Sequence, residues 1–65
     1  MAAVQIHMNR TMGVCRAFLH NQDFSPSIKN LILENWTVRE NEIIVPLVDA
    51  TKLINFLKKH KFSIL

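Results

Sequence analysis

The sequence contains little of what usually stabilises a very small domain or carries chemistry. Among 65 residues there is one cysteine, Cys15, which rules out an internal disulfide and any paired-cysteine zinc motif. The single glycine, Gly13, excludes glycine-rich phosphate loops and dinucleotide-binding fingerprints. No paired carboxylates recur on one face of a predicted element, so acid–base catalysis has no obvious residues. We therefore expect a protein that is not an enzyme and uses no cofactor.

Long apolar runs are also missing. The longest, residues 43–48, is far shorter than the roughly 18 residues of a membrane-spanning helix. Residues 1–8 lack the basic start and apolar stretch of a secretory signal. A lone cysteine is typical of a reducing compartment. These features predict a cytoplasmic protein made of one domain, residues 1–65.

What the sequence does have is a surplus of apolar residues, at 49% of the chain. A domain of this length buries only about 60% of the surface that its unfolded chain exposes. Small domains often compensate by associating with a partner. We therefore expect an exposed apolar surface that binds another protein or a second copy of this chain.

The N-terminal half predicts a strand followed by a helix with a break. Apolar residues alternate with polar ones from Val4 to Met8, which indicates a half-buried strand. Thr11 is a suitable N-cap for a helix to His20, interrupted at 21–25 before a second helical segment. Ser25 and Pro26 would begin that segment, although residues 29–35 are also compatible with a strand.

The centre of the chain predicts a β-hairpin whose second strand is apolar on both faces. Residues 36–38 and 43–48 flank a polar tip at 39–42. Because a proline has no N–H to donate, this strand fits best at a sheet edge, where another chain can add. The alternative is that the proline only marks the end of pairing. The predicted partner contacts are Trp36, Ile44, Pro46 and Val48.

Asp49 then caps an amphipathic helix over 50–60, and alternation at 61–64 suggests a last strand. The resulting order predicts an α+β, ferredoxin-like βαββαβ fold. The alternative is a winged helix, with 26–35 as the recognition helix and 36–48 as the wing.

Residues 48–62 resemble the last helix and strand of heavy-metal-associated domains. That resemblance implies the same ferredoxin-like fold. The metal motif of that family, M-x-C-x-x-C, corresponds to residues 8–15 here, which contain only one cysteine. A soft-metal site at Met8, Met12 and Cys15 is therefore a minor hypothesis, and our main prediction is that no metal is bound.

The net charge of +3 predicts an alternative function. Charges cancel through residue 48, and the excess lies entirely in residues 49–65. Cations near a helix C-terminus are favoured by the helix dipole alone. The alternative is a basic patch that binds nucleic acid, which four lysines without a neighbouring aromatic-rich strand favour less. The residues for this alternative are Lys52, Lys58, Lys59 and Lys61.

Overall fold

The computed structural model describes residues 3–19 and 24–65. A mixed sheet and two helices form a small α+β domain. The elements are β1 (Ala3–Asn9), β2 (Val14–Leu19), α1 (Pro26–Leu33), β3 (Thr37–Arg39), β4 (Glu42–Pro46), a 3₁₀ turn (Leu47–Asp49), α2 (Ala50–Lys59) and β5 (Ser63–Ile64).

The sheet has the strand order β3-β4-β2-β1-β5. Its neighbours are antiparallel except for β1 and β5, which are parallel. The central pair, β2 and β4, comprises the second strands of two successive ββα units, and the first strands flank them. The topology is therefore a repeat that the sequence does not display.

The predicted ferredoxin-like βαββαβ order is wrong, because no helix lies between β1 and β2 in the described chain. Residues 14–19 form a strand in which buried Cys15, Ala17 and Leu19 alternate with Arg16 and Phe18, whose side chains are less buried. Gly13, at φ +68°, forms the turn before it rather than lying inside a helix. Of the predicted break at 21–25, residues 21–23 lie outside the described residues.

The winged-helix alternative is wrong as well. The hairpin of β3 and β4 is not a separate wing, because β4 pairs along its other side with β2. The helical interpretation of the segment after Ser25 is confirmed, and the strand alternative is not. The Ser25 hydroxyl caps α1 by accepting a hydrogen bond from the Ile28 N–H at 3.4 Å.

The core lies between one face of the sheet and the two helices. The sheet contributes alternate residues from three strands, and the helices contribute one apolar stripe each. The largest fully buried side chains are Leu19, Ile32, Ile43, Leu53, Leu57, Val4, Val45 and Cys15. The helices therefore occupy a single face of the sheet.

The sequence predictions of β1, the hairpin, α2 and the final strand are confirmed.

Candidate binding surface: the open face of the sheet

The second face of the sheet has no helix or strand of the described chain packed over it. Its residues follow from the register, because positions that alternate with the core residues point the other way. We call this surface the open face. It consists of Ala3, Gln5, His7, Asn9, Val14, Arg16, Phe18, Thr37, Arg39, Glu42, Ile44, Pro46 and Ser63.

An aromatic and cationic cluster lies on the part of the open face that β1 and β2 form. The rings of His7 and Phe18 meet edge to face, with their centroids 5.6 Å apart. Arg16 is opposite His7 and two residues before Phe18 on the same face, and its guanidinium is 3.9 Å from the Glu42 carboxylate. With Met8, Asn9 and Arg10, the two rings and Arg16 line a cleft of about 440 Å³.

The predicted contacts Ile44 and Pro46 lie on the open face. Ile44 is opposite Arg16 of β2 on one side and Thr37 of β3 on the other, and it is half-buried. Its strand is therefore internal to the sheet, so the predicted edge position of 43–48 is wrong. A second chain cannot add beside β4 where β2 and β3 already pair with it.

Pro46 stands where a missing N–H has no consequence for the sheet. The Leu47 N–H donates to the Gly13 carbonyl at 2.8 Å, so odd-numbered peptide groups of β4 point towards β2. Alternation turns the nitrogen of Pro46 to the opposite side, and pairing with β3 ends at Ile44. Of the two interpretations of this proline, the structure favours the one in which it marks the end of pairing.

Trp36 does not join this surface. It packs against the core on the helix-covered side, where its indole N–H donates to an Asp49 carboxylate oxygen at 3.1 Å. Its ring meets Phe56 edge to face, with centroids 6.2 Å apart. Val48 lies in the 3₁₀ turn after β4 and is 88% exposed. The four predicted partner contacts therefore form no single patch.

The lysines of the alternative hypothesis lie on the helix side of the molecule. Leu53 and Leu57 point into the core, and the lysines occupy the exposed surface of α2 and the turn after it. Lys52 shares a cleft of about 330 Å³ with Asn35, Trp36 and Asp49. The lysines are thus separated from the aromatic and cationic cluster by the thickness of the domain.

The proposed soft-metal donors are only partly brought together. Met8 and Cys15 are opposite each other on β1 and β2, whereas Met12 lies in the turn and is 67% exposed. Burial raises the pKa of the Cys15 thiol above its ordinary value of 9.0, which opposes formation of the thiolate that a metal would need. Residues 3–19 and 24–65 hold no cluster of three or more His, Cys, Asp or Glu side chains suited to a metal.

Sequence reasoning missed the residues of the aromatic and cationic cluster on the open face. Arg16 and Phe18 were placed on a helix, where they would not share a face with His7. The signal that identifies them is the period-two alternation of residues 14–19, in which every second residue is buried. Once that segment is a strand, pairing places Arg16 opposite His7.

Comparison with protein-family models, curated proteins and solved structures yields no match for this chain. Neither helix of the described residues is long and apolar enough to cross a membrane.

Proposed function

We propose that this chain is a non-enzymatic binding module that docks onto another protein through the open face of its sheet. The single observation that supports this most is that the helices cover only one face. On the other face, Val14, Phe18 and Ile44 are half-buried, and no helix or strand among residues 3–19 and 24–65 covers them. Adjacent apolar side chains with a polar surround are typical of protein contact surfaces.

The charges of the open face favour an acidic partner. Arg16 and Arg39 lie on it with one carboxylate, Glu42, and Arg10 is in the adjoining turn. Stacking two copies face to face would bring these arginines towards one another, and like charges across an interface are unfavourable. A different protein with a negative surface is the better complement.

The test compares two lysine substitutions on opposite sides of the domain. Ile44→Lys places a charge in the middle of the open face, and Leu33→Lys places one at a 56% exposed position of α1. The immobilised wild-type chain and both variants are incubated with cell extract. We expect a protein to be retained by the wild type and Leu33→Lys, and to be lost with Ile44→Lys while its circular dichroism is unchanged.

Equal retention by Ile44→Lys, or no retained protein, would contradict the proposal. Release of the retained protein by moderate salt would support the acidic character of the partner, because exposed charge pairs are screened.

A single-stranded nucleic acid is the second candidate partner, and the cleft beside the β1–β2 turn favours it. Aromatic rings provide stacking surfaces for bases, and arginines provide contacts to phosphates. Both are present there in Phe18, His7, Arg10 and Arg16. In this second proposal the candidate contacts are on the open face and the adjoining turn, and not on the four lysines that the sequence suggested.

Fluorescence anisotropy with a labelled single-stranded oligonucleotide separates these possibilities. Arg16→Ala should weaken binding and reduce the salt dependence by about one phosphate contact if the open face binds. A Lys58→Ala, Lys59→Ala double variant should have that effect if α2 binds. No binding at low salt would eliminate both versions.

A further inference from the structure

Glu42 is the one acidic residue of the open face in the part of the chain that the structure describes, and it lies between two arginines. Its Oε2 is 3.9 Å from Nη1 of Arg16 on the neighbouring strand β2. Arg39 is directly opposite Glu42 on β3. The Glu42 side chain is 20% exposed and that of Arg16 is 49% exposed. The carboxylate is therefore set among cationic positions that are more accessible than itself.

The register identifies what the ion pair of Arg16 and Glu42 covers. In the pairing of β2 with β4, Arg16 is opposite Ile44. Two residues along the strand, Phe18 is opposite Glu42. The charged residues thus lie on one diagonal of a four-residue square, and the two apolar residues lie on the other. The ion pair reaches across the gap between Phe18 and Ile44, in the middle of the surface that we propose for docking.

The geometry of this ion pair makes it easy to exchange. Its separation of 3.9 Å exceeds the length of a charge-assisted hydrogen bond, which is about 2.7–2.9 Å. Exposed ion pairs of this kind contribute little to stability. A carboxylate that approaches along the plane of the guanidinium can bind two of its N–H groups at once. Arg16 therefore has more to gain from a well-placed external carboxylate than from Glu42.

A partner that contacts Phe18 and Ile44 together has to cover the ion pair or displace it. Covering it removes two charges from water and leaves them in a long contact, which is unfavourable. Displacing it with an acidic side chain keeps a counter-ion on Arg16. Glu42 also keeps one, because Arg39 is its cross-strand neighbour on β3. The exchange therefore leaves no charge of this group unpaired.

We propose that an acidic side chain of the partner protein replaces Glu42 on Arg16, and that Glu42 moves to Arg39 on binding. Glu42 is then an internal competitor that lowers the affinity of the open face for acidic groups. The exchange rests on the proposed function, because it concerns the same face and the same acidic partner. It adds the residue that receives the partner's carboxylate and the residue that selects against partners without one.

The substitution Glu42→Gln removes the competing charge and keeps the size of the side chain. The probe is a fluorescently labelled oligoglutamate peptide, which presents carboxylates and no phosphate. Its binding is measured by fluorescence anisotropy at low ionic strength, where exposed charges are least screened. We expect the Glu42→Gln chain to bind the peptide about three- to tenfold more tightly than the wild type does.

Glu40 provides the matched control. It is exposed in the turn between β3 and β4, outside the paired residues of the open face. Glu40→Gln changes the net charge by the same amount as Glu42→Gln, and it should leave the affinity for the peptide nearly unchanged. An equal gain from both substitutions would show that net charge alone sets the affinity, and it would overturn the proposal.

Arg16 tests whether the competition acts where the ion pair lies. The effect of Glu42→Gln is measured in the wild-type chain and in the Arg16→Gln chain, with circular dichroism to verify that each variant is folded. The gain should disappear in the Arg16→Gln chain, because no counter-ion site remains to be freed. A gain of the same size in both chains would contradict the exchange.

The exchange and the docking function can fail separately. If neither the wild type nor Glu42→Gln binds the peptide, the exchange is wrong, while Ile44-dependent capture from cell extract can still succeed. If no form captures a protein, the docking function is wrong whatever the peptide shows. Where capture succeeds, Glu42→Gln should retain more of the same protein than the wild type. A gain confined to a labelled single-stranded oligonucleotide would refute the assignment of a carboxylate to this site.

Discussion

The indole N–H of Trp36 donates to the carboxylate of Asp49 across a distance of 3.1 Å. Asp49 is the residue before α2, and its side chain makes no hydrogen bond to the helix N-terminus. Its carboxylate instead links the start of α2 to Trp36, the residue just before β3. The predicted N-cap position of Asp49 is thus confirmed, but the Asp49 side chain bonds to Trp36 and does not cap α2.

Asp49→Ala should therefore destabilise the fold through loss of a tertiary hydrogen bond. We expect a loss of about 1–3 kcal/mol in the free energy of unfolding, since the bond has a charged acceptor and is partly buried. Urea unfolding followed by circular dichroism measures it. Combining Asp49→Ala with Trp36→Phe should cost less than the sum of the single variants. The exposed Glu34→Ala is the control, and an equal loss there would contradict this assignment.

Substitution of Gly13 distinguishes the observed turn from the predicted helix, because the two predict opposite changes in the free energy of unfolding. Inside a helix, Gly13→Ala would stabilise the chain by about 1 kcal/mol. In the observed turn, φ is +68° and an added Cβ would have no heavy atom within 4 Å, so strain in the backbone decides the outcome. We expect destabilisation of about 1–2 kcal/mol in urea unfolding. Gly13→Asn should cost less, because asparagine tolerates this conformation.

Cys15 should make stability fall at alkaline pH. Burial raises the pKa of its thiol in the folded state, so above the ordinary value of 9.0 the unfolded chain releases a proton that the folded chain retains. The free energy of unfolding then decreases as pH rises through that value. Urea midpoints should show a shallower decrease for Cys15→Ala. In the folded protein, the thiol should resist alkylation at neutral pH; rapid modification without unfolding would contradict its burial.

Leu53 tests how narrow the stability margin is. It is fully buried on α2, and Leu53→Ala should cost about 2–5 kcal/mol through lost burial and an added cavity. A 65-residue domain has only about 3–10 kcal/mol in total. We expect a largely unfolded variant by circular dichroism at 37 °C. Leu33→Ala, at a 56% exposed position on α1, should remain folded.

The sequence predicted most elements of the fold because their patterns are locally determined. The Ser25–Pro26 start of α1, the polar hairpin tip and the apolar stripe of α2 each depend on neighbouring residues. Residues 14–19 were predicted to be helical, because Cys15 and Leu19 also share a helix face. What makes them a strand is pairing with β1 and β4, and the partners in β4 lie far along the sequence. Tertiary pairing of this kind overrides local preference.

The candidate surface was predicted only in part for the same reason. Ile44 stood out because its strand is apolar on both faces, and the structure places it on the open face. Its position inside the sheet depends on which strands flank it, and local pattern carries no such information. The misassignment of β2 also concealed Arg16 and Phe18, since residues share a sheet face only once their strand is known.

The β2–β4 pairing makes the two halves of the chain depend on each other. Each ββα unit contains a hairpin that can form locally, but the central pair joins Val14 to Pro46 and Phe18 to Glu42 across long intervening segments. Bringing these strands together costs loop entropy that only the completed core repays. Cutting the chain between α1 and β3 should therefore yield two fragments that are unfolded separately and recover structure when mixed.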